Sequence, residues 1–410
     1  MKDRHSIQAL LGLFGLGLLG GGLFELGDKF IRIWANDLGM SLNRLDVLSG
    51  IELLHPLKFL WMPLLASSIS FGPWRQRRLW VLIALLVCVV CVGIMSGVPF
   101  WGGSFVLILA VLTVARASYD ALVVAAQMQG VGRSLWGWSE NMCVLGYRLG
   151  MTLAMALGMR ASTRGVTWPT IYIASAGIVL VGLVWIARSP RLSFLDTDLP
   201  QQGRVGVVSA LWQWFAQPGS GWVVALLLIY RAQDGLIHPQ QDIFLLQHGL
   251  NKVALSNIKM ISMIANVAGG ALTAIIIRRQ GYKMALLTGL LSHALSAWLW
   301  WTVSMGWFAV SGLAGTFYVV EQFTTGLSMI ALYSFQLVCC RGAQVMTQIA
   351  LWSALSDFGM RLFSLRSGWI VVHWGWPWLM ALGGMVCIPI IGIIIRSFPT
   401  PENKVPPQSP

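Results

Sequence analysis

The sequence has few charged residues, and acidic residues are the scarcer kind. Charged side chains make up 10% of the 410 residues, with 28 Lys and Arg against 15 Asp and Glu. Soluble domains carry roughly 25% charged residues, so this composition excludes a water-soluble globule of such length. Because the chain is so apolar, its formal charge of +13 favours contact with anionic lipid headgroups over contact with nucleic acid.

The sequence also lacks the patterns of enzyme active sites. It has no phosphate-binding glycine loop, no metal-ligand cluster with suitable spacing and no nucleophile–base triad. Cys88 and Cys91 have the spacing of a redox or metal pair, but the neighbouring Leu and Val residues favour buried helix positions. We therefore predict a protein that is not an enzyme and that holds no cofactor and no metal.

Long apolar runs fill most of the chain. Twelve of them approach the roughly 20 residues that cross a bilayer as a helix. The runs are continuous and do not alternate with polar residues, which excludes a strand barrel. We predict an all-α integral membrane protein with twelve transmembrane helices, at residues 7–28, 46–66, 79–97, 102–127, 138–160, 169–187, 221–246, 254–277, 283–303, 306–333, 343–365 and 375–396.

A polar stretch at residues 188–204 separates six apolar runs from the other six. This division predicts an N-terminal half, a cytoplasmic linker with an amphipathic helix near residues 205–215, a C-terminal half and a disordered cytoplasmic tail. If the chain starts in the cytoplasm, fifteen Lys and Arg fall in inside loops and six in outside loops. The positive-inside rule then places both termini in the cytoplasm. The predicted boundaries are 1–188, 189–220, 221–397 and 398–410.

Several short motifs resemble those of a known transporter family. They are residues 57–63 (LKFLWMP), 144–151 (VLGYRLGM), 168–172 (WPTIY) and 230–234 (YRAQD). Together they resemble the AmpG-like, muropeptide-permease branch of the major facilitator superfamily. The resemblance implies two six-helix halves, alternating access and proton-driven import through a bacterial inner membrane. We expect a monomer whose partners are a small-molecule solute, protons and membrane lipids.

The solute is less well specified than the fold. The branch usually has two acids four residues apart in span four, but Val124 follows Asp120 at the second position. The chain is also short for a muropeptide permease. By resemblance, these departures favour a ferric siderophore importer of the RhtX/FptX type. Muropeptide permease is the alternative, and a non-transporting membrane regulator is the alternative from another class.

Ionisable residues within spans indicate where the solute and protons bind. Each costs at least about 2.5–3.5 kcal/mol at a helix centre, so such residues usually face the interior. Spans one, four, seven and ten line the central cavity of the major facilitator fold, and each carries an acid here. The predicted cavity residues are Asp120, Arg116, Arg231, Asp234, Lys58, Arg148 and Arg361, with Tyr119 and Tyr230 either stacking on a solute or packing inside the protein.

Spacing along the helices suggests two local ion pairs. Arg116 lies four residues before Asp120, and Arg231 lies three before Asp234. Glu321 has no cation within a helical turn, and desolvation would favour its protonated form. We therefore predict proton coupling by Glu321, Asp28 and His238. The alternative for Glu321 is a partner on another helix, such as Arg148 or Arg361.

Overall fold

A computed structural model describes residues 2–58, 60–61, 77–130, 136–196, 220–308, 310–339 and 345–397. The predicted amphipathic helix at 205–215, the tail at 398–410 and the end of the second predicted span lie outside these ranges. No strand occurs in the part of the chain that the structure describes. The prediction of an all-α protein is therefore confirmed for these residues.

The N-terminal half contains seven α-helices within the described ranges. They are α1 (Lys2–Gly27), α2 (Lys29–Asp37), α3 (Asp46–Glu52), α4 (Arg77–Met95), α5 (Gly103–Gly130), α6 (Trp136–Thr163) and α7 (Trp168–Arg188). Short 3-10 turns lie at Leu42–Leu45 and Pro190–Asp196.

The C-terminal half contains eight α-helices within the described ranges. They are α8 (Ser220–Ile229), α9 (Ala232–Gln247), α10 (Lys252–Ser304), α11 (Val310–Cys339), α12 (Val345–Ser364), α13 (Ser367–Trp374), α14 (Trp376–Met385) and α15 (Cys387–Ser397).

Helix α10 is two predicted spans joined by a sharp turn. Its 53 residues would extend about 80 Å as one straight helix, whereas the hydrocarbon core of a bilayer is about 30 Å thick. Gly281 has φ 84° and ψ 176°, a conformation that a residue with a Cβ atom rarely adopts. The helix axis therefore reverses at Gly281, between predicted spans eight and nine.

The described residues include seven helical runs that are long and apolar enough to cross a membrane. One is the double-span helix α10, and another joins α1 and α2. Helices also occupy predicted spans seven, ten and eleven. The chain is thus a multi-pass membrane protein, and the total of twelve spans stays a prediction.

The helix is broken at the end of predicted span one and near the middle of predicted span seven. Asp28 (φ −129°, ψ −73°) separates α1 from α2, and Tyr230 with Arg231 separates α8 from α9. Non-helical backbone at membrane depth is tolerated where it faces protein or a polar cavity. Both breaks place ionisable side chains in the interior, where the candidate site lies.

Close helix contact through glycine holds α1 against α6. A Cβ atom added to Gly21 would collide with the carbonyl oxygen of Tyr147, and one added to Gly150 would collide with that of Leu18. The backbones of α1 and α6 are therefore in direct contact, which small residues permit between helices of membrane proteins.

The Gly21→Ala variant should destabilise the protein by about 1–3 kcal/mol, because the added methyl group must displace backbone atoms. Its matched control is Gly22→Ala, since a Cβ atom on Gly22 meets nothing within 4 Å. Thermal unfolding in detergent checks the prediction. Equal melting temperatures for the two variants would contradict it.

Candidate functional site

The first part of the site surrounds Asp234, just after the break between α8 and α9. Its Oδ1 accepts a hydrogen bond from His293 Nε2 at 2.7 Å, and its Oδ2 accepts one from Arg231 Nε at 3.2 Å. Arg231 also pairs with Asp357 on α12. The predicted Arg231–Asp234 pair is confirmed, but it is one part of a larger network.

Glu321 joins this network through His238. The His238 Nε2 lies 2.9 Å from Glu321 Oε1 and 3.8 Å from Asp234 Oδ1. Gln241 donates a hydrogen bond to the second oxygen of Glu321. Glu321 therefore does have a partner on another helix, and the partner is His238, not Arg148 or Arg361.

One imidazole thus lies between two buried carboxylates. The side chain of His238 is 25% exposed, whereas those of Glu321 and Asp234 are 2% and 4% exposed. Histidine can take up and release a proton near neutral pH. The arrangement can pass a proton from the more exposed His238 to either carboxylate.

In the N-terminal half, the predicted Arg116–Asp120 pair is wrong. Arg116 Nη2 donates to Glu52 Oε1 at 2.9 Å, and Asp120 Oδ2 lies 2.9 Å from His55 Nε2. Both partners come from residues 52–55, which pack against α5. Glu52 is fully buried, so it competes for the guanidinium group more strongly than a half-buried neighbour on the same helix.

Glu52 also connects the two halves. Its second oxygen pairs with Arg361 of α12, so one carboxylate binds an arginine from each half. Arg148 similarly crosses between the halves, donating to Asn266 on α10. Both arginines were predicted to line the solute cavity, and the structure places them at contacts between the halves.

The remaining predicted residues have individual surroundings. Asp28 accepts a hydrogen bond from Arg32 Nε at 2.6 Å, and Lys58 is half-buried one helical turn after His55. The buried Tyr119 and Tyr230 donate their hydroxyl hydrogens to the carbonyl oxygens of Leu16 and Leu286. Packing is thus the correct interpretation of both tyrosines, because their rings are not open to a solute.

Four ionisable members of the networks were not predicted as site residues. They are Glu52, His55, His293 and Asp357. Each is an ionisable residue inside an apolar run, and this alone marks a candidate interior site. Glu52 and His55 lie on predicted span two, His293 on span nine and Asp357 on span eleven, outside the four spans expected to line the cavity.

A further group of contacts joins the halves at the end of the bundle remote from Lys2. We call this end the distal face, formed by Asp37, Asp46, Arg160, Gln247 and Asn257. Arg160 donates to Asn257 at 2.8 Å, Gln247 donates to Asn36 at 3.1 Å, and Lys252 pairs with Asp37 at 2.5 Å. The Asp46 carboxylate accepts the amide hydrogens of Gly368 and Trp369. The structure therefore has its distal face closed.

Comparison with known proteins gives relatives along nearly the whole chain. No family model matches. The chain is 28% identical to a putative transporter AmpG 2 of Rickettsia bellii over 408 residues, which cover 96% of this chain and 98% of the relative. It is 24% identical to the anhydromuropeptide permease of Escherichia coli, covering 96% of this chain and 79% of that one.

Solved transporter structures share the fold. A POT family transporter in complex with a thioalcohol-conjugated peptide superposes with a TM-score of 0.75 at 12% identity, covering 94% of this chain and 95% of that one. A D-xylose–proton symporter gives a TM-score of 0.67 at 13% identity, covering 96% and 99%. The chain has a transporter fold, and its sequence relatives are AmpG-like transporters.

Proposed function

We propose that this protein is a secondary transporter that imports an anhydromuropeptide, or a similar sugar-peptide, together with protons across a bacterial inner membrane. The observation that carries the proposal is the similarity to the anhydromuropeptide permease along 96% of this chain. The buried network of Glu321, His238 and Asp234 supplies groups that can take up and release protons.

The comparisons support the muropeptide alternative better than the siderophore prediction. That prediction depended partly on the short chain. A transporter named AmpG 2 matches this chain over 98% of its own length, so a chain of similar length occurs among AmpG-like relatives. Length therefore does not favour a siderophore.

Uptake into proteoliposomes tests the proposal. With an inward proton gradient, radiolabelled anhydromuropeptide should accumulate above its outside concentration, and a protonophore should abolish the accumulation. A labelled ferric siderophore should not accumulate. Accumulation of the siderophore but not of the muropeptide would contradict the proposed solute.

We further propose that both termini lie in the cytoplasm, as the distribution of Lys and Arg in the loops indicates. The distal face then faces the periplasm. Green fluorescent protein fused after Pro410 should fluoresce, and alkaline phosphatase fused at the same position should be inactive. An active phosphatase would contradict this orientation.

A further inference from the structure

Glu25, near the end of α1, is a buried carboxyl group that the site described above does not use. Only 3% of the residue is exposed, and its Oε2 has no hydrogen-bond partner among the described residues. Buried polar atoms nearly always have a partner. Such burial costs more free energy for an ionised carboxylate than for a neutral carboxyl group.

The two lysines that interact electrostatically with Glu25, Lys29 and Lys259, are already bound to another acid. Lys29 Nζ donates to the His238 carbonyl oxygen at 2.7 Å and lies 3.6 Å from Asp242 Oδ2. Lys259 Nζ donates to the same Asp242 oxygen at 2.6 Å. Both lysine amines therefore contact the carboxylate of Asp242, and neither donates a hydrogen bond to Glu25 Oε2.

The other titratable groups around Glu25 are also occupied or are neutral phenols. Asp28 binds Arg32, Arg116 binds Glu52, and Asp120 binds His55. His238 binds Glu321. The phenols on the helices around it are Tyr147, Tyr172 and Tyr318.

The lysine contacts span the boundary between the halves. Glu25 and Lys29 belong to the first span, whereas His238 and Asp242 lie on α9 and Lys259 lies on α10. Opening of the distal face would separate these helices, admit water to Glu25 and release Lys29 from its contacts with α9. Both changes favour the ionised carboxylate.

We propose that Glu25 is a proton site whose occupancy is linked to closure of the distal face. The protonated form favours the closed face, and the ionised form favours the open face. A proton taken up at the open face would therefore promote closure, which is the direction required for symport. The inference concerns the conformational step and holds whatever solute is carried.

The test measures opening of the distal face directly. Spin labels at Leu38→Cys and Met305→Cys, both exposed positions, report the distance between the halves by double electron–electron resonance. The six native cysteines are replaced beforehand, and the labelled chain must keep its melting temperature. We expect the ratio of closed to open forms to fall as pH rises, by up to about tenfold per pH unit for one proton.

In Glu25→Gln, the face should stay closed at all pH values and the pH dependence should be lost. Asp37→Asn is the control, because it removes an exposed carboxylate that pairs with Lys252. It should lower the closed fraction at every pH and leave the slope unchanged. A wild-type slope in Glu25→Gln would overturn the proposal.

Glu25→Asp provides a second measurement if the glutamine variant does not fold. It keeps a carboxyl group on a shorter side chain, so the slope should persist with a displaced midpoint. An unchanged midpoint would overturn the proposal. Absence of solute uptake in the proteoliposome assay would contradict the proposed function and would leave this distance measurement valid.

Discussion

The Glu52→Ala variant should lose about 3–5 kcal/mol of stability, the usual cost of removing one partner from a buried ion pair. Glu52 is fully buried and binds Arg116 at 2.9 Å and also Arg361. Arginine stays charged in proteins, so the variant leaves two buried guanidinium groups without their counter-charge. Urea unfolding in detergent measures the loss.

The control for Glu52→Ala is Asp37→Asn, which breaks the more exposed pair with Lys252 and keeps a side-chain oxygen for the indole of Trp168. Exposed pairs contribute about 0–1 kcal/mol, so this variant should stay close to the wild type. Glu52→Gln keeps hydrogen-bonding capacity and should fall between the two. If Glu52→Ala and Asp37→Asn unfold at the same urea concentration, Glu52 does not stabilise the contact between the halves.

Glu321→Gln should abolish accumulation of solute driven by a proton gradient, whereas solute binding and counterflow exchange persist. The amide resembles the protonated acid in shape and can keep a hydrogen bond to His238, but it cannot release a proton. Empty proteoliposomes with a proton gradient measure accumulation, and proteoliposomes preloaded with unlabelled solute measure counterflow exchange. Wild-type accumulation, in both rate and level, would exclude Glu321 as a proton carrier.

His238→Gln is the companion to Glu321→Gln. It removes the group that lies 2.9 Å from Glu321 and should also abolish accumulation. Glu25→Gln should behave differently, because a face that stays closed stops counterflow as well. Retained counterflow therefore distinguishes loss of the proton carrier from loss of the conformational step.

Local patterns in the sequence predicted the parts of the structure that depend on neighbours along the chain. Apolar runs located the helices, and a spacing of three residues identified the Arg231–Asp234 pair. The spacing of Arg116 and Asp120 did not predict their partners, because Glu52 and His55 come from residues 52–55 and bind them instead. His238 and Glu321 are 83 residues apart, so only the tertiary structure shows that their side chains meet.

The helix breaks at Asp28 and at Tyr230–Arg231 were also not predicted from the sequence. Gly27 directly precedes Asp28, but the chain has 44 glycines, so this residue does not single out a break, and no proline lies at either position. Arg231 is stabilised by Asp357 on another helix, whereas Asp28 pairs with Arg32 four residues later. The break at Tyr230–Arg231 depends on a tertiary contact, which the neighbouring sequence does not reveal.

Asp46 belongs to the N-terminal half, but its side chain caps the start of α13 in the C-terminal half. Its carboxylate accepts the amide hydrogens of Gly368 and Trp369 at 2.8 and 2.9 Å, two of the first amides that a helix leaves without an internal partner. When the halves part, these two amides lose their acceptor and become free to exchange with deuterated solvent. The rate of deuterium uptake at the amides of Gly368 and Trp369 would then report how often the halves separate. This measurement needs no spin label and no substitution in the chain.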